Sequence, residues 1–454
     1  MRLLTGICVA ALLVAFAVPA FAETQNIKVS GDIKVAYIYQ SDIDFQDNDG
    51  GNQNFFINQV GLNVEADLTD NVSTYIRLIN ERDWNAENSN GGASAQFDIK
   101  LDEAYVTLKE MLYAPLTLQI GRQNMWLGKG LVIGNAGVNV WDEGGLPMTV
   151  REMSDMTAFD AIRATLDYDP WTIDLIYSKI DSDNNAAGLS NYDDTDLYVA
   201  NVGYDFTKYD AEAEVYYIFK HDRVDTANVE PKSVDEVHTI GLRGSLVPFE
   251  SMNLFAEGAI QAGAYRDAVS SVKKDREAYA LDVGGDYTFA DVKWTPVVGA
   301  EFLYLSGNNA DTADSSKWEA WDPIYRGKFD NYLGDFRNVS KLTAYDIANG
   351  TSTDGNNNGL TNQKSLAAFV SADPMTDINV NLRYTYFWLD QIPVSGGDDE
   401  LGMELDAKLA YDYTEDVAFT VCGGVFWPGN FYTKGDSSQD KTAAQIVAAT
   451  TIDF

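Results

Sequence analysis

Apolar and polar residues alternate along about eighteen stretches of the chain, each roughly ten to fifteen residues long. In residues 401–412, Leu, Met, Leu, Ala, Leu and Tyr alternate with Gly, Glu, Asp, Lys, Ala and Asp, and residues 378–388 alternate in the same way. A period of two places the two sets on opposite faces of a β-strand. Because one face is apolar and the other is charged, the pattern predicts an all-β fold. We expect a transmembrane antiparallel up-and-down β-barrel with a water-filled lumen.

The breaks between these stretches alternate between short and long. Residues 69–71 and 169–170 are short and rich in Asp, Asn, Pro and Thr, whereas residues 42–53 and 85–95 are long and rich in Asn, Asp, Gly and Ser. Barrels of this kind have short periplasmic turns and long extracellular loops, and two periplasmic termini require an even number of strands. We therefore predict about eighteen strands, at residues 26–40, 54–68, 72–84, 96–109, 115–125, 158–168, 171–181, 194–206, 209–221, 235–247, 251–264, 275–289, 292–306, 358–372, 377–391, 399–413, 416–428 and 440–454.

Aromatic residues are concentrated at the two ends of the predicted strands, as in the girdles of membrane barrels. Those near the short turns are Tyr168, Trp171, Phe206, Tyr287, Phe289, Tyr411 and Phe454, and those near the long loops are Tyr39, Trp84, Tyr177, Trp388 and Trp427. A soluble barrel would place its aromatics in mid-strand. A soluble β-sandwich would have strands of about five or six residues, roughly half the length predicted here.

The N-terminus predicts a secretory signal peptide over residues 1–22. Arg2 is followed by an apolar run and by the small-x-small sequence Ala20-Phe21-Ala22, so the mature chain is expected to comprise residues 23–454. The alternative is an uncleaved anchor, but the apolar run is shorter than the ~20 residues that a spanning helix needs. The chain ends in Phe454 on an alternating strand, which resembles the last strand of bacterial outer-membrane proteins. We therefore expect the protein in the bacterial cell outer membrane, in contact with its lipid.

Charge narrows the range of partners. The chain has 69 Asp and Glu against 32 Lys and Arg, a formal net charge of −37. Such a chain would be repelled by nucleic acid, so no nucleic-acid partner is predicted. The mean hydropathy of −0.22 is too low for a helical membrane protein but suits a barrel in which every second strand residue faces water.

The polar face of the strands predicts the residues that line the lumen. Acidic residues outnumber basic ones on this face, which favours a cation-preferring pore. Two alternatives stay open: a central cluster of Arg77, Arg163, Arg243 and Arg383 that would pass carboxylates or phosphates, or charges that only solvate the lumen and pair across strands. The predicted pore-lining residues are Arg77, Glu81, Arg163, Glu212, Glu214, Arg243, Glu257, Asp282, Glu301, Arg383, Glu404, Asp406 and Lys408, and Lys220 and Lys293 share this predicted face.

Two long insertions could narrow the lumen. Residues 126–157 contain an apolar, Gly-rich sequence, which would be unfavourable in a loop exposed to water. We predict that this loop folds inward as a constriction, with a surface cap as the alternative, and that Lys129, Asp142, Glu143 and Arg151 are its charged residues. Residues 307–357 form a large extracellular loop. Its length favours a function or disorder, and its regularly spaced aromatics argue against disorder.

Metal and catalytic signals are weak. Asp354, Asn356 and Asn358 fit the opening of a calcium loop, but Ser365 stands where such a loop needs a bidentate Glu. A plain turn is the better interpretation, so no cofactor is predicted apart from this weak Ca²⁺ candidate. The two histidines, His221 in a predicted loop and His238 on the outward face, do not form a triad or a zinc site, and no phosphate loop is present. We predict that the protein is not an enzyme.

The C-terminal third resembles the alginate-export family of outer-membrane barrels. The resemblance rests on residues 401–432, LGMELDAKLAYDYTEDVAFTVCGGVFWPGNFY, with weaker matches at residues 101–109, 118–123 and 321–336. It implies a monomeric eighteen-stranded barrel with a charged lumen and occluding loops, with Arg122 and Gln123 near the outer mouth of the pore. We predict a porin for ions and small hydrophilic solutes. The alternatives are an alginate-like polysaccharide exporter, which would need a basic lumen, and a structural sleeve around a partner protein.

Overall fold

The computed structural model describes residues 26–43, 45, 52–84, 98–134, 153–181, 194–224, 233–266, 273–308, 316–327, 331–333, 361–392, 397–434 and 440–454. Within these ranges, no helix combines the length and the apolar character needed to cross a bilayer. The predicted signal peptide lies outside the described residues.

Eighteen long β-strands and one two-residue strand, β14, make up nearly all of the regular structure. One short helix, α1 (Asn430–Thr433), and a 3-10 turn (Thr207–Tyr209) complete it. The strands are β1 (Asn26–Ser41), β2 (Gln53–Thr69), β3 (Val72–Asp83), β4 (Lys100–Lys109), β5 (Leu116–Gln123), β6 (Phe159–Asp167), β7 (Trp171–Asp181), β8 (Thr195–Phe206), β9 (Ala211–Val224), β10 (Ser233–Phe249), β11 (Met252–Arg266), β12 (Lys273–Thr288), β13 (Val297–Leu305), β14 (Lys317–Trp318), β15 (Gln363–Met375), β16 (Ile378–Leu389), β17 (Glu400–Asp412), β18 (Val417–Pro428) and β19 (Ala443–Asp453).

The long strands form a closed barrel. Each one pairs antiparallel with its neighbours in the chain, and β1 pairs with both β2 and β19, so the sheet has no open edge. Among the described strands, only β14 departs from this pattern. It lies in the long connection between β13 and β15 and pairs parallel with β12. Because the sheet closes on itself, the backbone N–H and C=O groups of its strands can form hydrogen bonds within the sheet, as the bilayer core requires. The predicted fold class and the eighteen barrel strands are confirmed.

Strand residues alternate between an exposed apolar face and an inner polar face. On β10, Leu242 is exposed and its neighbour Arg243 points inward; on β11, Ile260 is exposed and Gln261 is buried. Aromatic side chains such as Trp171 and Trp84 are exposed at opposite ends of their strands. The exposed apolar band is the surface that contacts lipid.

Two local predictions were wrong. Alternation at residues 292–296 predicts strand, but β13 begins only at Val297. Trp294 and Thr295 adopt positive φ angles of 73° and 44°, and Pro296 has no N–H for the ladder, so the turn is longer and contains Lys293. His221, which ends the predicted strand at residues 209–221 but was assigned to the loop that follows, lies in β9, where it pairs with Glu236 of β10.

Candidate functional site: the inner wall and its inserted segments

The thirteen predicted pore-lining residues lie on the inner face of the barrel. Their strand neighbours, such as Leu405 beside Glu404 and Asp406, are the exposed apolar residues of the outer face. Several of the acidic members are buried even though they face the lumen. Glu257 and Asp282 are each 1% exposed. The reason is that segments from two long connections lie against them.

The first inserted segment, residues 124–134, packs on the inner wall of the barrel. Its side chains Leu127, Leu131, Val132 and Ile133 are buried in one cluster with the wall. The wall contributes apolar side chains from β6 to β13, among them Phe159, Ile176, Leu197, Ile218, Val237, Ala259, Ala278 and Leu303. Burial of these apolar side chains against an apolar part of the wall removes them from water. The segment therefore occupies space inside the barrel.

Backbone and side-chain donors of this segment bind wall carboxylates. The N–H of Gly128 donates to Glu214 over 3.1 Å, and the N–H of Lys129 donates to Glu257 over 2.7 Å. The Lys129 Nζ donates to Glu301 over 2.7 Å. Hydrogen bonds to carboxylates are stronger than those between neutral groups, so these contacts fix the tip of the segment. Of the other predicted constriction residues, Asp142, Glu143 and Arg151 lie outside the described residues.

The second inserted segment, residues 316–327, lies beside the first. Tyr325 donates its N–H to the Val132 carbonyl over 3.0 Å and accepts from the N–H of Gly134 over 2.8 Å, as a short parallel bridge. The Trp126 ring packs on Gly327, where an added Cβ would lie 2.6 Å from a ring carbon. The two segments thus form one unit inside the barrel.

A charged group anchors the second segment to the wall. The N–H of Asp322 donates to the Gln261 amide oxygen over 2.8 Å, and the Gln261 Nε2 donates back to the Asp322 carbonyl over 2.7 Å. Burial alone would raise the pKa of the Asp322 carboxyl. The cations Lys220 and Arg276, together with the N–H of Ile324, nevertheless hold that pKa below its ordinary value. Asp322 is therefore a carboxylate at neutral pH.

Two further stretches of these connections bind wall carboxylates in other parts of the barrel. The N–H groups of Tyr332 and Leu333 donate to Asp406 and Glu404 over 3.3 and 2.7 Å. Near β2 and β3, Ser154 and Asp155 donate to Glu81 over 2.5 and 2.8 Å. Segments of the long connections therefore contact the inner wall in three separate regions of the barrel.

The four central arginines are each paired with carboxylates. Their strands, β3, β6, β10 and β16, are distributed around the barrel. The contacts are Arg77 with Asp32 and Asp102 (2.6 and 3.0 Å), Arg163 with Asp174 (2.8 Å), Arg243 with Glu212 (3.4 Å) and Arg383 with Glu301 (2.6 Å). This arrangement favours the interpretation of cross-strand pairing over that of an arginine cluster.

Sequence reasoning missed several residues of this site. Arg276 shares the inward parity of Asp282 on β12 and could have been found from it. Asp102 could not, because a bulge opposite Arg77 and Leu78 shifts the parity of β4. Asp322 lies in a connection where periodicity gives no signal. Of the pair implied by the resemblance, Gln123 is buried on the inner face, but Arg122 faces outward beside Asp160 at 3.4 Å.

Metal and catalytic candidates receive no support from the described residues. Among these residues, no group of three or more His, Cys, Asp or Glu could hold a metal ion. Asp354, Asn356 and Asn358 lie outside the described residues, so the calcium loop stays a prediction. His238 faces outward and stacks on Phe219, with its Nδ1 2.8 Å from the Tyr217 hydroxyl.

Comparison with solved structures finds outer-membrane barrels of similar length. Pseudomonas aeruginosa OpdO has a TM-score of 0.58 at 11% identity, over 95% of this chain and 98% of that one. Pseudomonas aeruginosa OccK11 (OpdR) has a TM-score of 0.55 at 10% identity, over 95% and 96%. Acinetobacter baumannii OccAB1 has a TM-score of 0.55 at 10% identity, over 96% and 99%. These similarities show a shared barrel fold.

Sequence comparison identifies the family. The sequence matches none of the curated proteins. A family model described as Alginate export, however, matches residues 25–445, nearly the whole chain. This match agrees with the closed barrel, its exposed apolar band and its charged inner wall. The chain belongs to the Alginate export family and is a β-barrel of the bacterial outer membrane.

Proposed function

We propose that this barrel is a monomeric porin, and not an enzyme, through which ions and small hydrophilic solutes diffuse passively. The observation that carries the proposal is the docking of residues 124–134 and 316–327 on a charged inner wall. A closed barrel of this size leaves an aqueous channel unless chain fills it. The inserted segments would narrow the channel to the dimensions of small solutes, with Lys129 at the narrowing.

We further propose that the channel prefers cations. Acidic side chains outnumber basic ones on the inner face, and rings of Asp and Glu attract cations into a pore. Glu212 is the most open of these acids among the wall ion pairs, with 63% of its side chain exposed. Acids of this kind would set the potential that an entering ion meets.

Single-channel recording in a planar bilayer under a salt gradient tests both statements. We expect a steady conductance and a reversal potential displaced toward the equilibrium potential of the cation. Reversal toward the anion potential would contradict the cation preference. An absence of conductance in protein that is shown to be folded would contradict the porin.

A second candidate is the export of an alginate-like polysaccharide, and it rests on membership of the Alginate export family. Alginate is a polyanion, so a long basic path through the pore would have to compensate its charge. The basic side chains Arg77, Arg163 and Arg383 are each paired with acids on other strands of the wall. Block of the conductance by alginate oligomers, together with anion selectivity, would favour export over the porin.

A further inference from the structure

One aromatic and two acidic side chains meet on adjacent strands at the tip of the first inserted segment. Phe255 of β11, Asp282 of β12 and Glu301 of β13 all face inward. The Lys129 Nζ lies 3.6 Å from the centroid of the Phe255 ring, 2.7 Å from Glu301 and 3.8 Å from Asp282. An aromatic face and carboxylates are the groups that bind an organic ammonium.

Asp282 is not satisfied by this arrangement. It is 1% exposed, its carboxyl group lies against that of Glu301, and no N–H group of a described residue donates to its oxygens. The Lys129 ammonium is the nearest cation, but at 3.8 Å it is beyond hydrogen-bonding distance. A buried carboxylate without a donor is costly. The Asp282 carboxylate could therefore accept hydrogen bonds from a cation that the Lys129 ammonium does not supply.

The two nearby glutamates, Glu301 and Glu257, keep hydrogen-bond partners that do not depend on the Lys129 ammonium. Glu301 also accepts from Arg383 over 2.6 Å, so it keeps one cationic partner if Lys129 moves. Glu257 is held by the Lys129 N–H and by the Tyr216 hydroxyl, and both bonds are independent of the lysine side chain. Removal of the ammonium alone would thus expose Phe255 and Asp282 without releasing the segment.

We propose that Phe255, Asp282 and Glu301 form a binding subsite for a primary alkylammonium group, with the Lys129 side chain as its tethered occupant. This subsite adds a solute class to the proposed porin, and its physiological meaning rests on that proposed function. The aromatic ring favours an ammonium that carries an alkyl chain over a hydrated metal cation, because the ring contributes no oxygen ligand. A solute amine would compete with Lys129 for the two carboxylates.

Calorimetric titration of the detergent-solubilised protein with n-butylammonium chloride tests the subsite without any need for conductance. Lys129→Met removes the tethered ammonium and keeps the backbone N–H. We expect this variant to bind n-butylammonium about tenfold or more tightly than the wild type. The combined variant Lys129→Met/Asp282→Asn should lose that gain, and n-butanol should not bind to any of the proteins.

Lys34→Met is the matched control, because Lys34 also lies on the inner wall and its side chain is 31% exposed, as is that of Lys129. This control should bind n-butylammonium no better than the wild type. Equal binding by Lys129→Met with and without Asp282→Asn, or equal gains at positions 34 and 129, would overturn the subsite. Binding by a folded protein that does not conduct would count against the porin alone.

Discussion

Glu257 shows how a pore-facing residue can be occupied by the protein itself. Its carboxylate accepts the Lys129 N–H on one oxygen and the Tyr216 hydroxyl on the other, over 2.7 Å each. Glu81, Glu404 and Asp406 likewise accept bonds from inserted chain. At the residue scale, these buried acids act first as acceptors for loop donors. Exposed acids such as Glu212 stay available to ions.

Replacement of Glu257 by glutamine should lower the free energy of unfolding by about 1–3 kcal/mol, because the neutral amide is a weaker acceptor than the carboxylate and places an NH2 group where one of the two oxygens accepts. Glu212→Gln is the control. Its side chain is 63% exposed and 3.4 Å from Arg243, so its loss should change stability little. Denaturant unfolding in detergent measures both variants. Equal effects would mean that burial and loop contacts do not distinguish these two carboxylates.

Asp322 should make stability depend on pH in the acid range. Lys220 and Arg276 hold its pKa below the ordinary value of 3.8 despite its burial. A lowered pKa in the folded state means that the contribution is complete above the ordinary pKa and is lost as the pH falls through the lowered one. The stability difference between the wild type and Asp322→Asn should therefore be constant from neutral pH to about pH 5 and shrink below that. A difference that grew in acid would contradict this assignment.

At the element scale, the first and second inserted segments behave as one unit, joined through Ile133 and Tyr325 and packed through Trp126 on Gly327. Each segment alone would leave part of its apolar surface in water. Together they fill the space against the wall of β6 to β13, with Trp321, Ile324 and Tyr325 in the same cluster as Leu131. This shared burial explains why both connections are rich in apolar residues.

Deletion of residues 127–148 should raise the single-channel conductance roughly twofold or more, because the open cross-section of a wet pore governs its conductance. The deletion removes Leu127, Leu131, Val132 and Ile133, which are buried against the inner wall. Deletion of residues 183–192, from another long connection, is the control for the loss of loop residues as such, and an equal rise in conductance there would count against a specific constriction. An unchanged conductance after the first deletion would refute the constriction.

At the scale of the whole molecule, the closed barrel separates an apolar outer band from a charged interior. The chain carries a net charge of −37, but many of its acids lie in the loops or accept hydrogen bonds from inserted chain. Selectivity therefore depends on the field of the exposed inner charges rather than on total charge. Such a field acts through water and is screened by salt.

The cation preference should weaken as the ionic strength increases. The Debye length falls from about 10 Å at 0.1 M to about 3 Å at 1 M salt, so exposed wall charges influence fewer ions. Reversal potentials measured at one salt ratio, but at rising absolute concentrations, should move toward zero. A constant selectivity would instead indicate that ions contact the charged groups directly at the narrowing.

The sequence predicted most of the fold because the alternation of side chains is a local property of each strand. The side chains of Glu404, Asp406 and Arg383 lie on the inner face, as their parity indicates, and their role in the pore stays a prediction. It failed where the backbone departs from a regular strand, as at Trp294 and Thr295 with their positive φ angles. It also failed at Asp102, where a bulge interrupts the ladder.

The sequence by itself determined the barrel, its strands and the face of the charges on regular strands, since these follow from a period of two and from turn chemistry. Only the tertiary structure decided what those charges bind. Residue 129 meets Phe255, Asp282 and Glu301 across more than a hundred positions of chain. No periodicity encodes such a contact, because it depends on how the inserted segments pack inside the closed barrel.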